Sequence, residues 1–257
     1  MKHHFLDEES GIKSPIRDLN PKTKFITIIS VVILIVSTPA NEYASFLLYA
    51  GLLSALVLIS RVPVIVFLKR TLIIVPFVLV AAISVPFVHD GPGTSYTLGI
   101  GTFTVSKSGL LIVFNVMAKS TLSVVFLTLL ISTTPFNDLL VGLRELSVPA
   151  FITDTLSFMY HYIFILVEEV QRVSWARDAR LFGNRWIWHV PIIGYMVGSI
   201  FVRSFERGER IFRAMKARGY DNELIVRKTG PLHGSDLIFF TFVVLGTAVI
   251  RAVGSML

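Results

Sequence analysis

The chain contains no cysteine. Disulfides, thiolate metal ligands and thiol nucleophiles are therefore excluded, and redox usage gives no reading of the compartment. Charge is scarce as well: 16% of the 257 residues are Asp, Glu, Lys or Arg, where a soluble domain carries about a quarter. There is no G-x-x-x-x-G-K-[ST] phosphate loop, no H-E-x-x-H and no G-x-S-x-G, so nucleotide hydrolysis and metal-assisted or serine-based hydrolysis find no motif here. Nor does a paired acidic motif fall within an apolar block, which speaks against an intramembrane enzyme. The first twenty residues are polar, and no cleavable signal peptide is expected from them.

What the chain does have is apolar sequence. It is 53% hydrophobic with a mean hydropathy of +0.71, and the apolar residues cluster in blocks of roughly membrane-spanning length. That pattern predicts an all-α polytopic membrane protein. The formal charge of +7 would raise nucleic acid in a soluble protein. In a membrane protein, Lys and Arg concentrated in cytoplasmic loops account for it, and no nucleic-acid partner is expected.

Five spans can be placed. Asn20 before Pro21 reads as an N-cap and first-turn proline, opening a helix that runs to Thr38. Further spans cover about Ala44 to Ile59, Thr71 to Val88, Gly109 to Ile131 and Leu237 to Val253. Between the third and fourth, a Gly/Pro cluster and alternation around Tyr96, Leu98, Ile100, Phe103 and Val105 predict a short hairpin. Basic residues lie before the first span (Lys13, Arg17, Lys22, Lys24) and after the second (Arg61, Lys69, Arg70), which places the N-terminus in the cytoplasm. The expected organisation is therefore N-terminal transmembrane helices over 1–133, a cytoplasmic domain of long amphipathic helices over 134–234, and a C-terminal transmembrane helix over 235–257.

The middle region carries half of the chain's 24 basic residues between positions 168 and 230. Its apolar stretches, Phe151 to Val167 and Trp186 to Phe201, read as helices lying in or under the interface. Sliding the chain by 38 residues sets "EEVQRVSWARDARL" on "ERGERIFRAMKARG". Glu168 falls on Glu206, Arg172 on Arg210, Ala176 on Ala214, Ala179 on Ala217 and Arg180 on Arg218. Glu168/Arg172 and Glu206/Arg210 are i, i+4 pairs in the favourable orientation, and Gly183 and Gly219 are natural helix stops. An arginine at one helix end complements the macrodipole by about 0.3–1 kcal/mol. Two such ends, each with alanine before arginine, point instead to guanidinium pegs for two equivalent sockets, hence a two-fold partner.

These residues resemble the transmembrane T component of energy-coupling factor transporters, specifically the CbiQ-type subunit of cobalt and nickel uptake systems. The paired motifs Ala179-Arg180-Leu181 and Ala217-Arg218-Gly219 carry the likeness, with "SPIRDLNPKTKF" similar to the opening of those subunits. The likeness covers nearly the whole chain; Leu181 departs from the commoner Ala-Arg-Arg/Gly form. It implies a non-catalytic subunit with no cofactor of its own. ATP and Mg would be bound by a dimer of ABC-type ATPases, whose grooves take the two motifs. A separate CbiM-like substrate-binding S component in the bilayer would hold the metal. Glu168, Arg172, Glu206 and Arg210 would support the two coupling helices. The readings set against this one are the T subunit of a vitamin-type importer, an intramembrane enzyme, a stand-alone permease and a peripheral scaffold binding anionic lipid.

Other polar residues carry blander readings. Adjacent His3 and His4 make a weak metal site at best, and His89-Asp90 reads as a solvated loop. His161 with Asp154 reads as an interfacial pair, and Asn115 with Lys119 as packing between helices.

Overall fold

The structure, a computed structural model, describes residues 14, 16–39, 42–82, 95–97, 104–180, 189–221, 230 and 233–254. Leu181, Gly183, His3, His4, His89, Asp90 and most of the loop after the third span lie outside them. The described residues form eight helices and one two-stranded hairpin. They divide into two compact units, one within Leu143–Lys228, the other within His4–Gly142 and Thr229–Leu257.

The second unit is a helical bundle. Helix α1 (Pro21–Val36) starts as expected: the Asn20 side chain accepts the Lys22 N–H at 3.0 Å, and Pro21 occupies the first turn, where its missing N–H costs nothing. Helix α2 is Tyr43–Ser60 and α3 is Val64–Ala82. The third helix thus begins well before Thr71. Pro63 precedes it, its carbonyl accepting the Val66 N–H at 3.0 Å, and Pro76 lies inside it. Lys69 and Arg70, expected in a loop, sit inside α3. Strands β1 (Ser95–Thr97) and β2 (Thr104–Ser106) pair antiparallel, with Tyr96 opposite Val105, so the expected hairpin is present. Helix α4 (Lys107–Thr133) follows, then the short α5 (Phe136–Glu145), which the sequence reading did not single out. Helix α8 (Gly234–Gly254) completes the bundle.

Helices α1, α4, α2 and α8 each pack on two others of the four, and α3 packs on α4. Val31, Ile35, Tyr49, Phe126, Leu129 and Val243 fill the centre and are almost wholly buried. The Tyr49 hydroxyl lies 3.3 Å from Thr38 Oγ1 and donates to the Thr247 carbonyl at 3.5 Å, tying α2 to α8 and to the end of α1. Small residues allow close approach: a Cβ on Gly142 would meet the Lys22 amide nitrogen at 3.0 Å, and one on Gly246 would meet Leu52 Cδ1 at 3.2 Å.

Polar contacts fix the helix directions. At one end, Lys24 Nζ donates to the Thr133 carbonyl at 3.4 Å and the Asn20 N–H donates to Asp236 Oδ1 at 2.8 Å. At the other, Lys119 Nζ donates to the Val36 carbonyl at 2.8 Å and Arg251 Nη1 to the Leu34 carbonyl at 3.4 Å. So α1 and α8 run parallel, and α4 runs against both. Lys119 and Arg251 satisfy carbonyls left open at the C-terminus of α1, which is the packing role expected of Lys119. The outer faces are apolar: Leu47, Leu72, Ile73, Phe77 and Phe242 are each more than 70% exposed. An apolar surface of that extent is unsuited to water, and lipid is the medium it fits.

The first unit holds two long helices of 29 residues each, α6 (Ala150–Asp178) and α7 (His189–Ala217). By length and hydropathy, Leu111–Thr133, Ala150–Asp178 and Gly234–Gly254 are able to cross a membrane, and Ala44–Ser60 is apolar but shorter. Helix α6 therefore meets the length and composition of a span, where the sequence reading favoured an interfacial helix. Its C-terminal end nevertheless carries Glu168, Glu169, Arg172, Arg177 and Asp178, a density of charge that hydrocarbon does not accommodate.

Candidate coupling site

The two duplicated segments form the C-terminal ends of α6 and α7. At the end of α6, the Ala179 N–H donates to the Trp175 carbonyl and the Arg180 N–H to the Arg177 carbonyl, both at 3.0 Å. The last turn tightens there, and the Ala179 and Arg180 side chains are exposed.

The end of α7 is a complete Schellman cap. The Tyr220 N–H donates to the Met215 carbonyl and the Gly219 N–H to the Lys216 carbonyl, each at 3.0 Å. This reversal requires Gly219 at φ +84°, a region that L side chains enter at a cost. Arg218 is the cap residue itself, held just before the reversal with an exposed side chain between exposed Ala217 and Gly219. Among the described residues, neither Arg180 nor Arg218 forms an ion pair.

Glu168–Arg172 and Glu206–Arg210 lie at 3.9 and 3.7 Å in the expected i, i+4 register. They are solvent-exposed pairs, of the kind that adds little stability. The strong ionic contact is one residue away. Glu169 is buried, with its side chain 11% exposed. Its Oε2 accepts from Arg172 Nη2 at 2.7 Å and its Oε1 from Arg203 Nη1 at 2.9 Å, while Arg207 Nη2 stands 3.9 Å from Oε2. Glu169 thus ties α6 to α7. The sequence carries a signal for this: Glu169 stands three residues after Leu166 and four before Val173, both half-buried, so helical spacing sets its carboxylate on their face.

On one side of this junction the helices enclose an apolar groove of about 710 Å³, lined by Phe151, Phe158 and Tyr162 of α6 and by Ile211, Phe212 and Met215 of α7. The N-terminal half of α6 therefore faces the C-terminal half of α7, and the two arginine ends lie on opposite sides of the crossing. The expected His161–Asp154 pair does not form. Asp154 is buried and accepts from Arg144 Nη1 at 3.0 Å, whereas His161 is exposed and meets the Tyr162 ring edge-on at 5.7 Å. Arginine, with more donors and a longer reach, satisfies the buried carboxylate instead.

A family model described as the cobalt transport protein CbiQ matches residues 12–228. The chain is 23% identical over 252 residues to an uncharacterized protein of Methanocaldococcus jannaschii, covering 96% of this chain and 85% of that one. It is 31% identical over 126 residues to the cobalt transport protein CbiQ of Rhodobacter capsulatus, covering 48% of this chain and 50% of that one. It is 28% identical over 219 residues to the energy-coupling factor transporter transmembrane protein EcfT of Bacillus subtilis, covering 80% and 81%. The apolar bundle and these likenesses define a multi-pass membrane subunit of a transporter. The chain belongs to the cobalt transport protein family, CbiQ.

Proposed function

We propose that this chain is the T subunit of an energy-coupling factor importer for cobalt or nickel ions. It transmits ATP-driven motion from a dimer of ABC-type ATPases to a CbiM-like substrate-binding subunit in the same bilayer. The observation that carries this is the pair of exposed arginines at the ends of two equal, crossed helices. Arg180 on α6 and Arg218 on α7 each follow an alanine and sit on opposite sides of the crossing. Two equivalent grooves on a two-fold motor are the matching geometry.

In this reading the bundle of α1–α4 and α8 spans the plasma membrane, with the N-terminus and the α6–α7 unit in the cytoplasm. The charged end of α6 and the arginine-rich face of α7 favour that side. ATP and Mg are handled by the ATPases, and the metal ion by the substrate-binding subunit; this chain does mechanical work without chemistry of its own. The likeness to EcfT keeps a vitamin-type importer as the second reading, and the identity of the substrate-binding partner separates the two.

The test is purification of the full chain from its native membrane in a mild detergent, with identification of what accompanies it. Two ABC-type ATPase copies and a small membrane protein whose uptake is specific for cobalt or nickel are expected. A chain that purifies alone and transports in liposomes without ATPases refutes the proposal.

A further inference from the structure

The groove between α6 and α7 has one charged end. Along α6 it runs from Phe151 to Leu166, about 22 Å of helix. Along α7 it runs back from Tyr220 to Ser204. Its walls are apolar, and several of the polar side chains among them are already engaged. Thr155 Oγ1 donates to the Phe151 carbonyl at 2.6 Å, and Ser204 Oγ to the Phe201 carbonyl at 2.8 Å. Asp154, near the Phe151 end, is held by Arg144 at 3.0 Å.

Arg207 is different. It lines the groove where the helices close on the crossing, with 35% of its side chain exposed. Its ionic contact, Glu169 Oε2, stands at 3.9 Å, beyond hydrogen-bond reach. Both Glu169 oxygens already accept, from Arg172 at 2.7 Å and from Arg203 at 2.9 Å. Arg172 also faces Glu168 at 3.9 Å, so three arginines meet two carboxylates and one positive charge is left over. Glu206, the neighbour of Arg207 in sequence, pairs with Arg210 at 3.7 Å.

The shape selects among occupants. A groove of about 710 Å³ over that length is narrow for a helix, whose diameter with side chains is about 10–12 Å. An extended peptide brings a donor and an acceptor at nearly every residue, and apolar walls leave them unpaired at a cost. A polymethylene chain makes no such demand and gains with each CH₂ buried. The groove is also longer than the about 15 Å that the chains of one leaflet span, half of a hydrocarbon core of about 30 Å.

We propose that the groove binds one acyl chain of an anionic amphiphile, with its head group on Arg207. A carboxylate and a phosphate both accept from the guanidinium fork, so a free fatty acid and an anionic phospholipid share this chemistry. The site is built by α6 and α7 alone and does not depend on the transport role proposed above.

The test uses the full chain in nanodiscs of zwitterionic phosphatidylcholine. Three probes with a diazirine in the acyl chain are added separately: palmitate, phosphatidylglycerol and uncharged diacylglycerol. Labelled peptides are identified by mass spectrometry and normalised to labelling of the apolar outer face of α3, around Leu72 and Phe77. An anionic probe is expected to label Phe151 to Leu166 and Ser204 to Met215 about tenfold more than diacylglycerol, the factor that one charge-assisted hydrogen bond supplies. Whichever anionic probe does so identifies the source of the head group. Arg207→Gln is expected to remove that preference and Arg207→Lys to retain most of it. Gly208→Leu fills the groove at a position where a Cβ meets no atom within 4 Å; it is expected to suppress labelling by every probe without lowering the thermal midpoint. Equal labelling by diacylglycerol, labelling unchanged in both Arg207→Gln and Gly208→Leu, or a loss in Arg207→Lys as complete as in Arg207→Gln overturns the proposal. So does capture of a polypeptide in place of lipid by a photo-crosslinking residue at Phe158 in native membranes.

Discussion

Gly219 offers a perturbation that touches the end of α7 alone. Its φ of +84° belongs to the left-handed region, where a side chain costs about 1–2 kcal/mol, more for a β-branched one. A Cβ there meets no atom within 4 Å, so Gly219→Val introduces backbone strain and no clash. About 1–2 kcal/mol corresponds to a factor of 5–30 in a local equilibrium, enough to fray the turn that presents Arg218. Hydrogen exchange of the Tyr220 amide, which donates to the Met215 carbonyl at 3.0 Å, is expected to accelerate by about that factor. The thermal midpoint of the whole chain should stay within experimental error. Asparagine tolerates the left-handed region better than other side chains, so Gly219→Asn should fall between glycine and valine, and ATPase capture should follow the same order. Equal exchange rates for valine, asparagine and glycine at this position would show that the cap does not hold the last turn.

Two further substitutions test the bundle. Gly142→Leu forces a side chain against the first turn of α1, where a Cβ alone would lie 3.0 Å from the Lys22 amide; it should destabilise by about 1–3 kcal/mol, read as a lowered midpoint of the detergent-solubilised chain. Tyr49→Phe leaves the Thr38 hydroxyl and the Thr247 carbonyl without the fully buried phenol that joins them. It should cost about 0.5–1.5 kcal/mol, and an unchanged midpoint would remove the tyrosine from the account of bundle stability.

The parts of the fold that were legible are those set by local chemistry. Asn20 and Pro21 announce the start of α1 because an N-cap and a first-turn proline satisfy the same open backbone groups wherever they occur. The two charged helix ends were legible because the sequence states them twice. What escaped depends on which helix faces which. Lys69 and Arg70 read as loop residues by charge, yet helix formation places them inside α3. Asp236 is an acid in the first turn of α8, but it accepts the Asn20 N–H across 216 positions of sequence. Glu168 and Glu169 are indistinguishable by composition; only the stripe of Leu166 and Val173 marks the second as the one turned inward. Asp154 chose Arg144 over His161 because the turn through Ser147 brings Arg144 within 3.0 Å of it, a geometry no spacing rule supplies.

The central claim is that Arg180 and Arg218 seat this chain on two copies of one motor. The direct measurement replaces each arginine in turn with a photo-crosslinking residue, in the assembled complex within native membranes, and identifies the captured peptide. The account predicts the same groove of the ATPase from both positions, with one ATPase copy captured from each, and a loss of about 1.5–3 kcal/mol of binding when either arginine becomes alanine. Capture of lipid or of a periplasmic protein from either position, or full ATPase association in the Arg180→Ala/Arg218→Ala double variant, contradicts it.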